Sequence, residues 1–538
     1  MTNAFRRATV ALVALLALGL AAPAASAHAV LVSTDPAAGA VLDRAPAAVT
    51  LRFGEAVEAS FGAIRVYDAN ARRVDDGAVG HPGGHGNTVA VGLRPLTNGA
   101  YVVTWRVVSA DSHPVHGAFT FQVGRGAAGN EQALAARLLA QQGGSALVGG
   151  VFAVVRWLAF ASLVVLVGGA AFVLTCLRRN DSRAVRILTL AAAGVVVTAV
   201  LGIALQGPYA AALPLRDAAR PAVLRAVLDT RFGHAWAARA LLGLAALALV
   251  RPVLRGRLVA AGAAAGVALL GTLAAAGHAS VGSLVPLVLA SDVLHLAAVS
   301  FWLGGLVLLA ACVLPRDRAG DAGEVVARFS PLAFAAVVVI VVTGTFQSWR
   351  EVGSFGALTG TTYGHLLIAK VAGFTVLVAL GSVGRRWVRG RATGDLAAVR
   401  RSVGLEVVVA AAVLALTALL VNAAPARTAY ARPFTATLTS GDVSVNVVIS
   451  RAKAGRTDVH VYTLTTSGGI REVAELTGDL RLPAREIGPL VVPFTRAGPG
   501  HFAAYAVDVP IPGRWVLDLT VRTSDIDQTT VSTTVRFR

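Results

Sequence analysis

The chain has 538 residues, 55% of them hydrophobic and only 14% charged, with a mean hydropathy of +0.67, a balance that belongs to membrane proteins and argues against an ordinary soluble domain. Its formal charge is +19, yet nearly all of that is arginine in short clusters between apolar stretches, with lysine only at Lys370 and Lys453, so the charge reads as membrane topology and no nucleic-acid partner is expected. Cys176 and Cys312 are the only cysteines and both sit in apolar segments, which excludes a disulfide framework, and Met1 is the sole methionine, so soft-metal chemistry has to use histidine or cysteine.

Arg6 and Arg7 precede an apolar run from Ala8 to Leu20 and a small-residue site at Ala25-Ser26-Ala27, which predicts a signal peptide over residues 1–27. Cleavage there makes His28 the first residue of the mature protein. An α-amine of pKa roughly 7.7 to 8 releases its proton to a divalent metal near neutral pH, so amine and imidazole on one residue form a copper chelate. The plain alternative is that His28 merely follows the cut.

From His28 to Gly124, β-rich runs at Val49–Phe53, Ala63–Tyr67, Thr88–Val91, Tyr101–Val108 and Ala118–Val123 alternate with Pro, Gly, Asn and Asp turns, predicting a small all-β sandwich. The last of the strongest strands runs into Ser109-Ala110-Asp111-Ser112-His113-Pro114-Val115-His116-Gly117. Asp111 and His113 are two apart, so extended backbone turns both side chains the same way. Together with His28 they form a nitrogen-rich, roughly planar set with an oxygen nearby, which suits Cu(II) better than tetrahedral Zn. His81 and His85, in a His-Pro-Gly-Gly-His-Gly stretch, read as a solvated loop. A Gly/Gln/Ala-rich linker follows over residues 125–148.

Eight apolar runs approach or reach the roughly 20 residues needed to cross a bilayer, near 149–177, 187–206, 235–252, 258–277, 286–312, 331–349, 365–384 and 403–423. Arginines cluster in the loops after the first, third, fifth and seventh, marking those loops as cytoplasmic, while the loops after the fourth and sixth are almost free of basic residues. The longer loop after the second span, with Arg216, Arg220, Arg225 and Arg231, is a mild exception. Both flanking regions are thereby expected outside a cell (inner or plasma) membrane.

Placed by depth at about 1.5 Å of rise per residue, the polar residues of the spans collect at the outer side: His234, Arg239, His278, Asp292, His295, Gln347, His365 and Lys370. A charge in lipid costs several kcal/mol unless paired or wet, so Asp292 is expected to face inward, toward Arg156, Arg239 or Lys370. His278, Asp292, His295 and His365 are the candidate copper-accepting group there, with a structural ion-pair network as the alternative. At the inner side only Glu406, hydroxyls, Cys176 and Cys312 remain. The two cysteines are either a thiolate exit for Cu(I) or simply small buried residues. The final region, Pro433 to Arg538, repeats the β pattern at Val443–Ile449, Asp458–Thr465 and Arg514–Val521, predicting a second external all-β sandwich over 433–538.

His28-Ala29-Val30-Leu31 after a signal peptide, Arg52-Phe53-Gly54-Glu55 and Asp111-x-His113-Pro-x-His-Gly resemble the periplasmic copper-binding CopC family across the whole first domain. The resemblance implies an Ig/cupredoxin-like sandwich with His28, Asp111 and His113 on Cu(II), and Glu55 as a supporting acidic residue close to the ion. His116 is a further ligand or, as favoured here, a backbone-bonded turn residue. Methionine-rich members also hold Cu(I), a pattern this chain lacks. Arg156-Trp157-Leu158, Gly168-Gly169, Ser291-Asp292-Val293-Leu294-His295, Phe301-Trp302-Leu303-Gly304-Gly305 and Tyr363-Gly364-His365 with Lys370 resemble the CopD family of copper-uptake membrane proteins. The expected protein is therefore a CopC–CopD fusion of mixed fold: an exported β sandwich, an eight-helix membrane bundle over 149–424, and a last β domain with a fainter likeness to the YtkA type.

These readings converge on a copper importer that captures Cu(II) outside and passes copper, as Cu(I) or Cu(II), across the membrane, with copper ions and lipid as partners and an unidentified reductant or chaperone as a further one. No enzyme activity is expected. Surface sequestration without transport, a copper-dependent oxidative enzyme using His28, and a haem bundle ligated by His278, His295 and His365 remain the alternatives. No nucleotide-binding Gly-rich loop or phosphorylation-type ATPase motif that would drive pumping is present.

Overall fold

The computed structural model describes residues 31–538 apart from positions 37, 60–62, 110–113, 125–133, 136, 140–143, 276–284, 316–320, 390–395, 431–433, 466–470, 499 and 525. In the first β region, β1 (Leu31–Asp35), β3 (Ala48–Phe53), β7 (Thr88–Leu93) and β6 (Asp75–Gly80) form one sheet in the order β1-β3-β7-β6. The second runs β2 (Val41–Leu42), β9 (Pro114–Val123), β8 (Gly99–Ser109), β4 (Val57–Glu58), with β5 (Ile64–Asp68) also on β8. Alternation explains the packing: along β3, Val49, Leu51 and Phe53 are buried while Arg52 between them is exposed. Those side chains meet Ile64, Val66 and Trp105 in a shared core. All five predicted strands are present, four of them longer than expected and the one at Ala63–Tyr67 shifted by a residue to Ile64–Asp68. β1, β2, β4 and β6 are additions, the last, β6, built on Asp-Asp-Gly composition that reads as a turn. Its Asp75 carboxylate is buried and accepts from Val66 N at 2.9 Å, Gly77 N at 3.0 Å and Arg73 Nε at 2.9 Å. Burial alone would raise the Asp75 pKa, but Arg73 and the backbone amides outweigh it and hold the carboxyl below its ordinary value.

The helical region holds α1 (Ala146–Leu177), α2 (Ser182–Ala211), α3 (Pro221–Leu228), α4 (Arg231–Leu254), α5 (Val259–Ala275), α6 (Val285–Val313), α7 (Ala322–Val352), α8 (Phe355–Gly360), α9 (Thr362–Arg389) and α10 (Leu396–Val421). Among the described residues seven helices are long and apolar enough to cross a membrane, namely α1, α2, α4, α6, α7, α9 and α10. The predicted fourth span corresponds to α5, whose described part is a shorter apolar helix of 17 residues ending just before the undescribed stretch 276–284. α3 and α8 are short amphipathic or capping helices in connections, and Asp181 caps α2 by accepting from Arg183 N at 2.8 Å and Ala184 N at 3.1 Å.

The glycine pairs singled out in the sequence are where α1 and α6 cross at closest range. A Cβ on Gly168 would stand 1.7 Å from Ser300 O, and one on Gly304 would stand 2.4 Å from Val164 O, so only glycine lets the two backbones meet. Gly168 ends a π-helical turn, Val164–Gly168, that widens α1 at this crossing. Gly168→Val is accordingly expected to remove most folded protein from the membrane fraction. Gly150→Val, where a Cβ meets nothing within 4 Å, should leave the yield unchanged when both variants are extracted in detergent and measured by size-exclusion chromatography.

The last β region has two sheets sharing one core. One orders β10 (Phe434–Ser440), β11 (Val443–Ile449), β12 (Gly455–Thr465), β16 (His501–Val509) and β15 (Thr495–Gly498). The other orders β14 (Ile487–Val491), β13 (Glu475–Leu482), β17 (Gly513–Arg522) and β18 (Gln528–Phe537). Trp515 is fully buried at its centre, with Nε1 donating to Ile511 O at 3.0 Å.

Candidate metal centres

In the first β region, His28, Asp111 and His113 lie outside the described residues, but the elements flanking all three are defined. β1 pairs antiparallel with β3 starting at Leu31 opposite Phe53. His28 is three positions before Leu31, a reach of about 10 Å at full extension. Asp111 and His113 belong to the connection between Ser109, the last residue of β8, and Pro114, the first of β9. The two ends are tied through one aromatic contact. Phe53, the partner of Leu31, packs edge-on against Trp105 of β8 with centroids 5.4 Å apart. Trp105 in turn lies across Gly117 of β9, where a Cβ would come within 2.6 Å of its ring. The glycine of the His-Gly motif therefore makes room for the tryptophan that joins the two sheets.

Glu55 follows Phe53, half-buried, with both carboxylate oxygens shielded from solvent. His116 stands on β9, in a strand and not in the turn expected from sequence, exposed at its surface. Partial loss of hydration, and then the nearby Arg106 charge, push its pKa below the usual imidazole value. His81 is anchored, its Nδ1 2.7 Å from Thr88 O, beside the Pro82–Gly84 turn that carries His85.

In the helical region, Asp292 and His295 sit one turn apart on α6. The His295 Nδ1 lies 2.8 Å from the Thr343 hydroxyl of α7, and a Cβ on the adjacent Gly344 would be 3.4 Å from its Cε1. This fixes the ring plane and leaves Nε2 as its other nitrogen. The charged groups acting on Asp292 are Arg350 and Lys370, and Lys370 also acts on His295. Arg156 and Arg239 are occupied elsewhere, which corrects the wider set of partners proposed for Asp292 from sequence. Arg156 donates to Asn422 Oδ1 and lies 4.2 Å over the Phe152 ring. Arg239 donates to Thr272 Oγ1 at 3.0 Å and Thr272 O at 3.1 Å, with its guanidinium 4.4 Å over Trp236. His365, exposed near the start of α9, directs Nε2 at Thr359 O, 2.9 Å away. His278 lies outside the described residues. Cys176 and Cys312 are both fully buried in the helical core, each in a π-helical turn at the end of its helix, an environment that fits small core residues.

Among the described residues no group of three or more His, Cys, Asp or Glu side chains gathers as a metal site. The last β region, to which sequence reading gave no site, nevertheless brings His460 and His501 into contact. Nothing local marks them, since they are 41 positions apart and only the pairing of β12 with β16 makes them neighbours.

Comparison with known proteins gives three domain matches: a CopC domain at residues 31–124, a copper resistance protein D-like N-terminal domain at 145–285, and copper resistance protein D at 323–420. The copper transport protein CutJ of Bacillus subtilis (strain 168) is 30% identical over 405 residues, covering 72% of this chain and 73% of that protein. Copper resistance protein C of Pseudomonas syringae pv. tomato is 39% identical over 118 residues, covering 21% of this chain and 93% of that protein. The crystal structure of CopC from Methylosinus trichosporium OB3b matches at 31% identity, over 18% of this chain and 93% of that one, with a TM-score of 0.17.

Proposed function

The chain belongs to the CopC–CopD family of copper transport and resistance proteins, and from that premise we propose that it is a copper importer whose first domain captures Cu(II) outside the cell membrane. In this reading the signal peptide is removed, His28 supplies its amine and imidazole, and Asp111 and His113 complete the set, with Glu55 beside it. Both β regions lie outside, and copper passes to a membrane acceptor site made by Asp292 and His295 with His278 and His365.

The observation that carries the capture step is the Phe53–Trp105 contact. It holds the β1–β3 pairing next to His28 against the strand that leads into Asp111 and His113. The reading that His28 meets residues 83 and 85 positions further on draws its support from that contact between the flanking strands. The acceptor step is supported by the Thr343 hydroxyl, which orients His295 as an outer-shell partner orients a metal-binding imidazole. Transport is favoured over an oxidative enzyme because CutJ, 30% identical over 72% of this chain, is named a copper transport protein.

The test separates capture from passage. His295→Ala is expected to abolish uptake of radiocopper into cells while Cu(II) titration of the outer domain in the full chain is unchanged. Full uptake by that variant would remove His295 from the path.

A further inference from the structure

The face of β12 turned away from its core carries Asp458, His460 and Tyr462 at alternate positions, between the buried Val459 and Val461. His501 of β16 pairs directly with Tyr462, and its ring stacks on the phenol with centroids 4.4 Å apart and planes at 14°. His460 sits diagonal to it. Its Nδ1 lies 3.2 Å from His501 Nε2, and Tyr505 packs edge-on against its other side at 5.8 Å. Asp458 is already engaged as acceptor from Ala506 N at 2.8 Å. Gly39 of the first β region also comes close to Tyr462, where a Cβ would stand 3.1 Å from Cδ1 and the φ of +76° favours glycine.

The nitrogen spacing is what an ion needs. Metal–imidazole bonds are about 2.0 to 2.1 Å long, so two nitrogens on one ion stand about 2.9 Å apart at a right angle and about 3.3 Å apart at a tetrahedral one. The observed 3.2 Å lies between these values. In the hydrogen bond one of these nitrogens carries the proton, so a chelate forms when that ring takes its other tautomer and both rings turn their lone pairs to one point. The region has no cysteine or methionine, which leaves imidazole as its only strong ligand for copper.

We propose that His460 and His501 form a second copper-holding site, a two-imidazole station on the last β region beneath Tyr462 and Tyr505. The choice of copper rests on the import reading above; the chelating geometry does not. Its place against Gly39 of the first β region suits an ion passed on after capture.

The experiment counts copper in the full chain, purified in detergent and equilibrated with Cu(II), or with Cu(I) under ascorbate, against a competing chelator. The paired substitution His460→Asn with His501→Gln keeps hydrogen-bonding shape but removes both ligands, and it should cost one copper per chain. His113→Ala should cost a different one, so a chain carrying all three substitutions loses both. Failure of the capture reading shows as an unchanged count in His113→Ala alone, and failure of this proposal as an unchanged count in the paired variant alone. Should the paired variant not fold, the His113→Ala chain decides by itself. Its remaining copper should show two-imidazole scattering in X-ray absorption that persists when His295→Ala is added to the same chain, and absence of any such copper overturns the proposal.

Discussion

A mature protein extended by a single alanine ahead of His28 is expected to lose at least about 100-fold in Cu(II) affinity, at or beyond the upper end of what removing only an outer-shell partner costs. Insertion displaces the α-amine from His28 by one residue while leaving every side chain in the domain unchanged. The chelate between amine and imidazole is broken, and with it the pre-formed geometry that two donors on one residue provide. The first domain itself should remain folded, because the buried core of Val49, Leu51, Phe53, Ile64, Val66 and Trp105 begins at Val49, well after His28 in the sequence. Electron paramagnetic resonance should show fewer nitrogen couplings and a changed axial spectrum, and competition titration should give the affinity loss directly. Equal affinity in the extended and native chains would mean that copper is held by Asp111 and His113 without the N-terminus.

How far the sequence could be read depended on the range of the interaction. The helical spans were legible because an apolar run of bilayer length is a local property, and α1, α2, α4, α6, α7, α9 and α10 fall where the hydrophobic runs place them. Val443–Ile449 was equally legible, since valines alternating with polar residues mark one buried face and the strand keeps those same limits. β10 and β18 escaped because threonines fill their outer positions, Phe434-Thr-Ala-Thr-Leu-Thr-Ser and Gln528-Thr-Thr-Val-Ser-Thr-Thr-Val-Arg-Phe, and soften the apolar contrast. The glycine pairs were visible as a family motif, but their reason, the backbone contact between Gly168 and Ser300, needed two helices placed together. The same holds for His460 and His501. Neither has a neighbour of its kind in sequence, and the register of β12 on β16 alone makes them a pair.

In the membrane, Asp292→Asn is expected to cut copper uptake by at least about tenfold, a loss of roughly 1.4 kcal/mol or more in the free energy of the path, at nearly normal yield of folded protein. The substitution keeps the size, removes the negative charge and turns one acceptor oxygen into a donor NH2. Two outcomes compete because Arg350 and Lys370 both act on this carboxylate. Were Asp292 needed only to neutralise them, its loss would leave buried positive charge in a low-dielectric bundle, and folding would fail at a cost of several kcal/mol. Two features weigh against that. Lys370 carries a long flexible stem, and Arg350 lies at the end of α7 next to the Val352 terminus, so both can lift their charges toward the aqueous boundary. The aspartate cannot follow, and it stands one turn from an imidazole already oriented by Thr343, an arrangement that serves an arriving cation better than a resident one. A Lys370→Met partner completes the test as a double-mutant cycle. If Asp292 serves copper, adding Lys370→Met to Asp292→Asn restores no uptake and changes yield little. Recovery of both yield and uptake in the double variant would show instead that the carboxylate exists to balance Lys370.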